Sequence, residues 1–168
     1  MCSSDLQKEY PKAVKAYETA ADRYNDRPQI ASEALYRAGL ANNKQAKRAE
    51  YDQGVAGDAI NNFTDFKALY PNDPRVPEAD KLVAALKTEQ ARGAFQTAKF
   101  YEKNKRWQGA VVYYNESLLK DPNSPLAEKA RERIAALTPK AEAQAKKRAE
   151  REKAAMERAK SGTTPAKK

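Results

Sequence analysis

Histidine is absent from this 168-residue chain and cysteine occurs once. The first absence removes the commonest general base and the commonest metal ligand together. A lone thiol can form neither an internal disulfide nor a thiolate metal cluster. Glycine is scarce, at six residues, and no glycine-rich phosphate loop, nucleophile elbow or metal-ligand spacing occurs. Asp and Glu are plentiful, but without that surrounding machinery no catalytic residue, metal or cofactor is expected, and the chain reads as a non-enzyme. No apolar run approaches the ~20 residues that span a bilayer, and none follows a basic start as in a secretory signal. β-Branched residues are few and no convincing strand can be drawn.

What is present is a helix-forming composition dominated by Ala, Glu, Lys, Leu and Arg. A hydrophobic fraction of 40% and a mean hydropathy of −0.95 leave little for a deep interior, so a thin, elongated core is expected. The formal charge of +9 could mark a nucleic-acid binder, but its distribution argues otherwise. Residues 139–168 hold ten Lys or Arg and four Glu, whereas residues 1–138 carry only +3. Within the tail, Lys147-Arg148-Ala149-Glu150-Arg151-Glu152-Lys153 interleaves the two signs, as a solvated helix with i,i+4 pairs does. No nucleic-acid partner is expected, and contact with an anionic lipid surface is the less favoured reading.

Internal repeats organise the rest. Residues 91–124 fit one tetratricopeptide unit of about 34 residues. Ala98 and Tyr101 hold signature places on its first helix, and Trp107, Ala110, Tyr114 and Pro122 hold them on the second. The small residues let the two helices approach closely while the aromatic rings fill the space around the contact; Pro122 cannot continue the backbone ladder. The second-helix pattern recurs at Ala13 and Tyr17, ending near Tyr24-Asn25, and at Ala59 and Phe63, ending at Tyr70-Pro71. The alanine anchors at 13, 59 and 110 are 46 and 51 residues apart, so each unit has long helices or an added one. Residues 29 to about 50 read as one long first helix, with Asn42 where a tyrosine is usual. The stretch from Pro77 to Asn104 is either one helix or two joined near Lys87 to Ala91. A helix running to Leu137 is broken by Pro139 and resumes as a polar helix from Lys140 to Lys160, with Ser161 to Lys168 disordered.

The domain reading is therefore a repeat domain over residues 7–137, with remnants at about 7–28, 29–74 and 75–137, followed by a basic tail over 138–168. Residues 1–6 match the translation of a common sequencing-library adapter and are read as a non-native start, so Gln7 begins within a repeat. The expected fold is all-α: helical hairpins stacked into a tetratricopeptide-like superhelix. Such an array lines a groove with its first helices and suits an extended peptide or a partner helix. Tyr36, Arg37, Asn43 and Lys44 from one unit and Phe95, Gln96, Lys99 and Lys103 from another are the candidate groove residues, combining amide, basic and aromatic groups. The remaining aromatic residues are assigned to the core by their helical spacing rather than to base stacking.

With the repeats laid out, the chain resembles the BamD-like outer-membrane β-barrel assembly lipoproteins. The resemblance is carried by Tyr10-Pro11-Lys12-Ala13-Val14 with Tyr17 and Arg23-Tyr24, by Ala59-Ile60 with Phe63 and Ala68-Leu69-Tyr70-Pro71-Asn72, and by Ala98-Lys99-Phe100-Tyr101-Glu102-Lys103 leading to Trp107, Ala110-Val111 and Tyr113-Tyr114. It covers Lys8 to Leu137. It implies a periplasmic scaffold at the inner face of the outer membrane that holds the barrel-inserting subunit and unfolded barrel substrates. It also implies membrane attachment only through a lipid anchor that this chain does not carry. The alternative is a general tetratricopeptide adaptor of the cell envelope or cytoplasm.

Overall fold

The computed structural model describes residues 3–48 and 53–161, and among them every regular element is a helix. In order these are α1 (Ser3–Arg23), α2 (Pro28–Arg48), α3 (Gln53–Leu69), α4 (Val76–Lys103), α5 (Trp107–Lys120) and α6 (Ala127–Ser161). The all-α reading holds, and the stretch left open between one helix and two is the single helix α4. Contacts divide the chain into two compact units, Met1–Gly93 and Ala94–Lys168. The adapter-like residues 1 and 2, the end of the expected long helix at 49–50 and the tail beyond Ser161 lie outside the described residues.

The first unit is built on close helix crossings. Ala59, Phe63 and Phe66 of α3 are fully buried against Tyr36 and Ala46 of α2 and against Ala79, Val83 and Leu86 of α4. The Tyr36 ring meets Phe63 edge-on at 5.7 Å and Phe66 at 5.4 Å. At Gly39 the helices come so near that an added Cβ would stand 2.7 Å from the Phe63 ring. Asn42, in the place of the usual tyrosine, is also buried there. Its amide donates to Asn62 Oδ1 at 2.8 Å, and Asn62 donates to Glu18 at 3.1 Å, so a polar chain links α2, α3 and α1. A buried amide needs such partners, and the pairing accounts for asparagine at this position.

The second unit repeats the logic with other residues. Ala98 of α4, Ala110 of α5 and Ala130 of α6 are fully buried around Phe95, Tyr114 and Leu137. The α4–α5 turn closes as a Schellman motif, with the Arg106 N–H on the Tyr101 carbonyl at 3.0 Å and the Lys105 N–H on the Glu102 carbonyl at 2.9 Å. Lys105 takes φ 55° at the place glycine usually fills, a conformation costing about 1 kcal/mol for an L residue. Gln144 of α6 holds this turn from outside. Its side-chain oxygen accepts the Trp107 N–H at 3.2 Å and its amide donates to the Lys105 carbonyl at 3.1 Å. A side chain from another helix thus satisfies one of the free N–H groups at the start of α5.

One expectation is corrected here. Pro139 does not break the last helix: α6 runs through it from Ala127 to Ser161. An interior proline costs a helix about 3 kcal/mol. Packing on both sides offsets that, because Leu137 and Ala141 are both buried and Gln144, one turn further on, anchors the α4–α5 turn. Burying a leucine alone contributes about 2 kcal/mol.

Gly39 supplies a test of the first unit's packing. Gly→Ala in a helix interior ordinarily stabilises by about 1 kcal/mol. Here the new methyl group meets a fully buried ring that has nowhere to move, so Gly39→Ala should destabilise by about 1 kcal/mol or more in denaturant unfolding. Adding Phe63→Leu should make the Gly39→Ala change less costly than it is alone; equal costs in the two backgrounds would show that the ring does not limit the approach.

Candidate peptide-binding clefts

Each unit carries a concave surface floored by buried rings. In the first, Tyr10, Ala13 and Tyr17 of α1 face Glu33, Tyr36, Arg37, Leu40 and Lys44 of α2 across a cleft of about 450 Å³. The spacings on α1 and α2 follow the helical period, which is why a single face of each contributes. Arg75, just before α4, closes one wall and is fully engaged. It chelates Asp73 through Nε at 2.8 Å and Nη2 at 2.7 Å, pairs with Glu33, donates to Ser32 Oγ at 3.1 Å, and lies over the Tyr36 ring at 5.0 Å. The Arg75 hydrogen bonds hold the Asp73 carboxyl at about 2, below its ordinary 3.8. Glu33 is lowered by its bond from Arg37, with Arg75 adding to this against the opposing effect of burial. Burial, with a hydrogen bond to Glu78, pushes the Tyr36 hydroxyl up to about 12. Two of this cleft's three cations, Arg37 and Arg75, are therefore tied to acids, beside a fixed aromatic floor.

In the second unit Phe95, Lys99, Glu102 and Lys103 of α4, Trp107 and Tyr114 of α5, and four residues of α6 line a cleft of about 430 Å³. Phe95 and Tyr114 pack edge to face at 5.1 Å. The Tyr114 hydroxyl donates to Glu102 at 2.7 Å, and Arg133 of α6 clasps the same carboxylate. Burial alone would raise Glu102, but the bonds from Arg133 and Tyr114 outweigh it and its carboxyl sits below the ordinary value. Burial, then the Glu102 bond, raises Tyr114 to about 12. Lys140 lies 5.3 Å over the Trp107 ring. An adjoining hollow shares Trp107 and Lys140 and continues along α6 past Gln144 to Lys147, Arg148 and Arg151.

The eight candidate groove residues are thus distributed. Tyr36, Arg37 and Lys44 line the first cleft, and Phe95, Lys99 and Lys103 line the second. Asn43 is buried and turns instead toward Lys47, Leu82 and Leu86, because one residue's step around α2 carries it off the cleft face. Gln96 is exposed on α4. Of the repeat anchors, Ala59, Phe63, Ala98, Ala110 and Tyr114 are buried, Ala13, Tyr17, Tyr101 and Trp107 are half-buried at cleft edges or hairpin contacts, and Pro122 is exposed in the α5–α6 turn. Sequence reasoning missed Arg75 and the whole contribution of α6. The signal for the latter was present: positions 129, 133, 137, 140, 144, 147 and 151 recur at steps of three and four, a single helical stripe.

Among the described residues no group of His, Cys, Asp and Glu is arranged to hold a metal ion. The Asp73 clasp gives a pH test. The folded carboxyl binds protons less readily than the unfolded one, so its stabilisation is complete above pH 3.8 and is lost as the pH falls toward about 2. In unfolding measurements the stability gap between wild type and Asp73→Asn should narrow across that window; a gap that stays constant would mean that Arg75 does not stabilise the ionised form.

The family model described as YfiO, outer membrane lipoprotein, matches residues 4–157. No curated protein sequence gave a match. With the matched span covering nearly all six helices and both clefts, the chain belongs to the YfiO family of outer membrane lipoproteins.

Proposed function

We propose that the protein is a binding scaffold of the machinery that assembles β-barrel proteins in the outer membrane, holding a barrel-inserting subunit and unfolded barrel polypeptides at the periplasmic face. The observation that carries this reading is the pair of ring-floored clefts on helical hairpins, in a chain whose family is one of outer membrane lipoproteins. A cleft floored by aromatic rings and rimmed by cationic groups suits a polypeptide, whose carboxylates and apolar side chains find separate contacts. Among the described residues no helix is long and apolar enough to cross a membrane; in this reading attachment comes through the lipid of the intact lipoprotein.

Binding is favoured over catalysis by the state of the cleft carboxylates. Glu33, Asp73 and Glu102 are each tied to arginine and held below their ordinary values, whereas a general acid or base near neutrality needs its carboxyl raised. No residue is assigned a catalytic, cofactor-binding or metal-binding role, and nucleic acid is not a partner in this reading.

Affinity capture from bacterial envelope extract, with the intact protein as bait and mass spectrometry as readout, tests the proposal. Recovery of the barrel-inserting subunit together with unfolded barrel proteins is the expected result. Enrichment of an unrelated set of partners, without these, would replace it with a general repeat adaptor.

A further inference from the structure

We propose that the second unit's cleft selects acidic, extended polypeptide segments, and that α6 on both sides of Pro139 forms its cationic wall. This deepens the scaffold reading and rests on it. Five cations and one carboxylate line the cleft, and the carboxylate, Glu102, is taken up by Arg133 and Tyr114. Lys99, Lys103, Lys129 and Lys140 form no ion pair among the described residues. They ring a floor of Phe95, Tyr114 and Leu137, all almost fully buried. The first unit's cleft has a smaller excess: three cations and one carboxylate line it, Arg37 and Arg75 are both paired with acids, and Lys44 is the one lining cation without an ion pair among the described residues.

The cationic stripe extends further. From Lys129 to Arg151 it follows α6 for about 33 Å, a length that an extended chain of about ten residues covers. Lys147 and Arg151 continue it beyond Trp107. Unpaired lysines around a concave, partly apolar site are complementary to carboxylates spaced along a strand, with an apolar side chain seated between Trp107 and Leu137. A flat anionic membrane complements the same charges, but it meets the lysine tips alone and cannot follow the cleft to its floor. The concavity therefore favours the peptide.

Trp107 is the only tryptophan in the chain, and its place beside Lys140 makes it a built-in reporter. The full-length protein is titrated with a synthetic peptide of about ten residues, rich in Asp and Glu with one Phe, and with its Asn/Gln analogue. The acidic peptide should shift Trp107 emission to saturation and the neutral analogue should not. Raising the salt from about 0.05 M to about 0.5 M should weaken the binding ~10-fold or more. The double variant Lys103→Glu/Lys140→Glu should weaken it at least as much, Lys103→Arg/Lys140→Arg should retain it, and Lys153→Glu, off the stripe, should leave it unchanged.

Equal binding of the neutral peptide, or no emission change with either peptide, would overturn the proposal. So would a response to vesicles containing phosphatidylglycerol without one to the acidic peptide, which would assign the stripe to a membrane surface. Running the envelope capture with the double variant separates the two readings. Barrel-assembly partners recovered equally by wild type and variant would retain the scaffold and remove the acidic selectivity. Their absence from both, beside intact peptide binding, would remove the scaffold alone.

Discussion

Close approach of helices through alanine is the constraint on which the other features depend. Most of the buried apolar positions are alanines, and those at the crossings, among them Ala59 in one unit and Ala98, Ala110 and Ala130 in the other, have no exposed surface. A methyl group adds little apolar area, so each unit has a thin core in which a few rings, Phe63 and Phe66 or Phe95 and Tyr114, supply much of the burial. Thin cores leave the flanks of these rings within reach of the surface. That is how Tyr36 and Phe95 can be core residues and cleft floors at once.

The same economy explains the polar clasps. A unit with little interior relies on directed bonds to fix neighbouring elements, and each unit uses a carboxylate held by an arginine from further along the chain: Glu33 by Arg75, and Glu102 by Arg133. These clasps neutralise the acids of the clefts. In the second unit the result is one-sided, since α6 brings lysines to a cleft whose one lining acid, Glu102, is already engaged. Gln144 fixes the register of that wall by capping the α4–α5 turn across α6.

Much of the fold was legible in the sequence. Turn clusters at Asn25-Asp26-Arg27-Pro28, Pro71-Asn72-Asp73-Pro74 and Asp121-Pro122 mark helix boundaries because proline and the Asx residues act locally. The alanine and aromatic anchors were visible because helical spacing is periodic. Pro139 was misread for the converse reason: the local cost of proline is large, and only tertiary burial of Leu137 and Ala141 shows that the helix survives it. Cutting α6 there also divided the stripe from Lys129 to Arg151 into two unremarkable halves. Asn43 was misplaced by the small angular difference between a cleft-facing and an inward-facing position on α2. Arg75 lay in a turn, where periodicity gives no direction for a side chain.

Continuity of α6 through Pro139 is what brings the stripe together, and amide hydrogen exchange on the free protein measures it directly. Slow exchange is predicted for the amides following Pro139, from Ala141 to Arg148, as for those preceding it from Ala130 to Thr138, because one packed helix carries both. Exchange at the rate of unstructured chain beyond Pro139 would contradict the account, leaving the cationic stripe without its continuation from Lys140 to Arg151.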